Sequence, residues 1–191
     1  MKSQHYYGVS GKPIVSTNYR CSGFEYQYDQ YGNQLDCCSV DKKGEITIRE
    51  YLGYAHTYSQ YDAWGNKISE SYADVWNRPV PSKSGFASYQ KKYEDGNVTE
   101  IAYYDTSGKP VLHSDLGYAV LKYQYDTDGN KISESYYGTD GTPITHKENH
   151  CASIRYAYNS NGKATDIWYY GTDGKILNRE DLGYAHVRSG Y

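Results

Sequence analysis

Six histidines, four cysteines and a series of Asp-containing turns are the residues of this chain best able to do chemistry. The turn Asp126-Thr127-Asp128-Gly129-Asn130 sets out carboxylates as a calcium loop begins. Such a loop also needs a bidentate Glu at its twelfth position, and Tyr137 stands there. The equivalent turns DQYGN and NSNGK lack the second carboxylate, so turn formation accounts for the aspartates. His56 and His186 each follow GYA, and His113 and His146 each follow a proline-containing segment. As recurring repeat positions they are expected to face solvent, and no metal is expected.

The four cysteines form no CxxC pair, which argues against zinc or redox work. Cys37 and Cys38 are adjacent and point to opposite faces of a strand. Cys21 and Cys151 take a register held elsewhere by Tyr54, Phe86, Tyr118 and Tyr184, so both read as small core replacements of an aromatic. Free thiols are expected. Neither a Gly-x-Ser-x-Gly elbow nor a glycine-rich phosphate loop occurs, and no cofactor is expected. A repeat multiplies every residue, whereas an active site normally needs one arrangement. The chain reads as a non-enzyme.

The elements that position these residues repeat. The turn glycine of YDxxGN recurs as Gly32, Gly65, Gly96, Gly129 and Gly162, in steps of 33, 31, 33 and 33. Twelve residues further on stand Gly44, Asn77, Gly108, Gly141 and Gly174, with Gly11 in the same register. A third series precedes the first: Arg20, Gly53, Gly85, Gly117 and His150, with Gly183 opening an incomplete unit. These mark an N-terminal half-unit (1–19), five repeats (20–52, 53–84, 85–116, 117–149 and 150–182) and a C-terminal half-unit (183–191). Together they make one continuous repeat domain.

Within a unit, YAVLKYQYD places Ala119, Leu121, Tyr123 and Tyr125 on one face and Lys122 and Gln124 on the other, which is a strand. DTDGN is a type I turn with a left-handed Gly, and NKISESYYG returns as a second strand. After a second turn, GTDG, a short third strand and a polar loop are expected. Pro13, Pro79, Pro110 and Pro143 each follow the second turn residue by two, as suits an edge or the first residue of a strand. The third unit shortens to Asp95-Gly96, the favoured pair for a two-residue hairpin loop. Two columns run through the second strand: Leu35, Ile68, Thr99, Ile132 and Thr165, then Ser39, Tyr72, Tyr103, Tyr136 and Tyr169. Stacked units would align the latter into a buried ladder.

Composition agrees. Leu, Ile, Val and Phe number only 28 of 191, while Tyr numbers 26 and Trp 3, so tyrosine carries the burial. A net charge of −3 lacks the basic face that nucleic acid requires. No apolar run approaches the roughly 18 residues of a membrane helix. The start MKSQHYYG has no apolar run behind its Lys, so no signal peptide is expected in this chain. Localisation stays open, with the cell surface or secretion as one expectation for a segment of a longer protein.

At YQYDQYGN, YSQYDAWGN and YQYDTDGN the chain resembles the YD repeats of bacterial Rhs-type proteins, over roughly half its length. Its period near 33 is longer than that family's unit. A looser similarity joins it to the aromatic hairpin repeats of cell-wall-binding modules. The resemblance implies a scaffold or surface-binding role and carries over no catalytic residue. The expected fold is therefore all-β, a tandem β-hairpin repeat array built as an elongated antiparallel sheet or β-solenoid. The expected function is non-catalytic binding or scaffolding, with a protein or glycan partner. The alternatives are carbohydrate or cell-wall recognition through rows of exposed Tyr and Trp, and a toxin-associated shell or hydrolase. Candidate ligand-stacking residues are Trp64, Trp76, Trp168, Tyr136 and Tyr169.

Overall fold

The computed structural model describes residues 1–190. Among them are twelve antiparallel strands and no helix, with strand order following chain order. The chain falls into two compact units, Met1–Tyr89 with Tyr104–Lys109, and Gln90–Tyr103 with Pro110–Tyr191. The first holds β1 (Lys2–His5), β2 (Gly23–Tyr28), β3 (Gln34–Val40), β4 (His56–Tyr61) and β5 (Lys67–Ala73). The third hairpin is β6 (Ser88–Glu94) and β7 (Asn97–Tyr104). The second unit continues with β8 (Val120–Tyr125), β9 (Lys131–Tyr137), β10 (Ser153–Tyr158), β11 (Ala164–Tyr170) and β12 (His186–Arg188).

All three repeating turn positions are left-handed. Every glycine of the three series has a φ between 71° and 90°, and the residues replacing glycine follow suit: Arg20 (51°), Asn77 (62°) and His150 (50°). A β-carbon resists this conformation, which is why glycine fills most of these sites. In the third hairpin Asp95 (49°) and Gly96 (79°) are both left-handed, as a two-residue type I′ loop requires.

The hairpins are less regular than their alternation predicts. In β2–β3, Gln27 pairs with Asp36 but Tyr28 pairs with Gln34, leaving Leu35 as an extra residue. Ile68, Ile132 and Thr165 are extra in the same way. Four of the five members of the first column read from the sequence are thus β-bulges beside the tip. The expected third strand is also absent. It is reduced to isolated bridges, such as Tyr137 with Pro143, followed by a hydrogen bond from the Ile144 N–H to the Tyr136 carbonyl. Proline fits the bridge because no N–H is asked of it.

Past the bridge, the expected polar loop is a tight turn. The N–H of His150 donates to the carbonyl of His146, and that of Gly117 to His113. The segment forms a strap that closes over the tyrosine face of its hairpin. Beneath it lies the second column, with Ser39, Tyr72, Tyr103, Tyr136 and Tyr169 all buried. The ladder alternates between two series of rings. Tyr54 stacks on Tyr72 at 4.3 Å, and Tyr118 lies between Tyr103 (5.9 Å) and Tyr136 (5.2 Å). Cys21 and Cys151 replace a ring of the interleaved series and are buried, as their register predicts.

Three of the tyrosines that immediately precede a first turn have a different task. The Tyr61 hydroxyl donates to the Gln34 carbonyl, Tyr125 to Val98 and Tyr158 to Lys131, each across 27 residues to the preceding hairpin. Replacing Tyr158 by Phe removes the donor and leaves the Lys131 carbonyl without it. A loss of about 1 kcal/mol is expected, seen as a lower urea midpoint at unchanged slope.

Candidate functional site

The ionisable groups are largely engaged in building the fold. In the first turns the carboxylates of Asp29, Asp62 and Asp126 each accept two backbone N–H groups and the side-chain amide of the following Asn. These bonds, led by the amide donor, hold all three carboxyls below the usual range. Among the described residues no three His, Cys, Asp or Glu gather as a metal site.

Two of the histidines expected in solvent are buried, namely His56 and His146. His146 begins its strap turn as a cap. Its Nδ1 accepts the N–H groups of Glu148 (3.0 Å) and Asn149 (3.1 Å), and its ring lies 4.5 Å from that of Tyr136. His113 does the same for Asp115 and Leu116 at 3.3 and 3.4 Å. Ser16 occupies the equivalent place and accepts from Tyr19. A serine there was the available signal for a cap. His56 faces Asp36 at 3.3 Å, and His186 faces Asp166 at 2.8 Å, each pair joining neighbouring strands.

All four thiols are free and buried. Burial pushes Cys38 and Cys151 up to about 11 and raises Cys21 and Cys37 as well. Such thiols are poor nucleophiles at neutral pH.

The five aromatic candidates separate. Tyr136 is 2% exposed and held between Tyr118 and His146, while Tyr169 is buried against Arg179 and Tyr184. Neither has a ring face open to a ligand, because the straps cover them. Trp168 is half-buried and stacks on His186 at 4.9 Å. Trp76, 70% exposed, carries the Arg78 guanidinium over its ring at 4.6 Å. Trp64 is 87% exposed at the tip of the second hairpin.

Tyr31, which sequence reasoning passed over, holds the same turn position in the first hairpin and is 80% exposed. Its signal was the shared register, one residue before the turn glycine. Between these two tips lies a cleft of about 680 Å³, lined by Asp29, Tyr31, Leu35, Tyr61, Asp62 and Trp64 among others. The corresponding cleft of the second unit, about 820 Å³, is lined by tip residues Thr127 and Asp128 and has no tip aromatic.

Turns, bulges and straps together define a tandem β-hairpin repeat protein. No protein-family model matches the chain, and no curated protein matches it. Among solved structures it is similar to TcdB2-TccC3 without its hypervariable C-terminal region, at 14% identity and a TM-score of 0.45, over 97% of this chain and 9% of that one. It is also similar to TcdB2-TccC3 (11%, TM-score 0.33, 87% of this chain and 10% of that one). A third similarity is to the Tc holotoxin pore of Photorhabdus luminescens (13%, TM-score 0.20, 88% and 14%). The chain thus spans about a tenth of the length of the structures it matches.

Proposed function

We propose that the chain is a non-catalytic repeat scaffold that holds surface residues in register for a protein partner. The supporting observation is where its reactive side chains are used. Turn carboxylates bind their own backbone, cap histidines bind strap N–H groups, and tyrosine hydroxyls bind the neighbouring hairpin. Each role occurs in at least two units and completes the fold of that unit or its joint to the preceding hairpin. Such a protein behaves as a sum of units and nearest-neighbour interfaces.

Removing residues 117–149 joins Leu116 to His150, which holds the same left-handed position as Gly117. The shortened chain is expected to keep its β circular dichroism and cooperative unfolding, with a lower midpoint. An unfolded or aggregated product would refute the scaffold reading.

A further inference from the structure

Tyr31 and Trp64 contribute little to the turns that carry them. The same loop forms around Asp128 in the fourth hairpin and Asn161 in the fifth, with the same left-handed glycine and the same backbone hydrogen bonds. Turn formation therefore does not require an aromatic at the tip, and two large exposed rings in one unit call for another explanation.

The cleft between them has a definite chemical character. Three rings line it (Tyr31, Tyr61 and Trp64), together with two carboxylates, Asp29 and Asp62, and no Lys or Arg. The two tips are close, with the Asn33 Oδ1 only 3.8 Å from where a β-carbon on Gly65 would stand. A sugar would need free polar partners for its hydroxyls, and the strongest acceptors of the cleft are already engaged. Both carboxylates already accept three hydrogen bonds, and the Tyr61 hydroxyl donates to Gln34. An organic cation needs no such partners. It is attracted by the negative faces of the rings, Trp above all, and by the two neighbouring carboxylates.

The geometry points to the Tyr31–Trp64 cleft of the first unit as a binding site for an alkylammonium group. The group could come from a soluble amine or from a lipid headgroup, which present the same methylated cation.

The test is a titration of the full ¹⁵N-labelled chain with tetramethylammonium chloride, against sodium chloride at equal ionic strength. Saturable amide shifts confined to residues 29–35 and 61–66 are expected. The Tyr31→Asn, Trp64→Asn double variant installs the residue that Asn161 already supplies at this turn position, so it retains the fold. It should bind at least tenfold more weakly. Co-sedimentation with phosphatidylcholine vesicles that the double variant loses would assign the cation to lipid, and vesicles ignored by a chain that binds tetramethylammonium would assign it to a soluble amine. Shifts absent from the two tips, shifts unchanged in the double variant, or a response to N-acetylglucosamine in place of tetramethylammonium would overturn the proposal.

Discussion

Truncation of Tyr136 to alanine is expected to lower the unfolding free energy by about 3–5 kcal/mol, the range found when a large buried ring is removed. The ring is 2% exposed and touches Tyr118 and His146, so the void would lie inside the ladder, under the strap. Its hydroxyl adds a second loss. It donates to the buried carboxylate of Glu134, which also holds Lys131, and it accepts from the Asn149 amide. Burial, with Glu134 beside it, raises the Tyr136 hydroxyl well above its ordinary value, so the phenol is a donor at neutral pH. Tyr136→Phe separates the two losses. It keeps the ring and should cost about 1–3 kcal/mol, the penalty of depriving a buried polar group of its partner. Chemical denaturation of both variants gives the difference directly. Equal losses would show that the hydroxyl network, not ring packing, governs this part of the core.

A second large effect is expected at His146. Alanine there removes the acceptor for two strap N–H groups and a buried ring, for about 2–4 kcal/mol. The same geometry makes the fold sensitive to acid. Nδ1 can accept only while the imidazole is neutral, and burial lowers the proton affinity of both His146 and His113. Glu148, Glu134 and His150 face His146, with His113 further off, whereas Asp115, Glu148 and Lys147 surround His113. The carboxylates favour protonation, and desolvation outweighs them. A histidine depressed in the fold keeps its full contribution above the unfolded value near 6.5. Below that the unfolded chain binds the proton first, so stability falls with pH until the folded imidazoles also protonate. Unfolding midpoints measured between pH 7.5 and 5 should therefore decline. In a His113→Ser, His146→Ser double variant, where the Ser16 solution replaces the imidazole, most of that slope should vanish. An unaltered slope would place the acid sensitivity elsewhere.

Much of this architecture was legible in the residues. A glycine needed for a left-handed turn leaves a mark that survives substitution, so the register stayed readable even at Asn77, Arg20 and His150. Strand alternation gave the faces, and the ring series gave the burial of Cys21 and Cys151. Alternation says which side a residue points to, but not what covers that side. Tyr136 and Tyr169 therefore looked available for stacking until the straps were seen above them. The bulges at Leu35, Ile68, Ile132 and Thr165 were hidden because β-branched and aliphatic residues suit a paired strand and a bulge alike. The cap histidines were misplaced because a histidine is usually read by its charge, and here it serves as a neutral acceptor. At the tip cleft Trp64 was visible and its counterpart Tyr31 was lost among 26 tyrosines.

The tyrosine-to-carbonyl bonds have an evolutionary corollary. Their acceptors belong to Gln34, Val98 and Lys131, three residues with nothing in common beyond a main chain. Substitutions at the receiving position leave the joint intact, provided the backbone path holds. Where the receiving side chain has no other partner, lineages carrying such arrays can therefore diversify it while the joint persists.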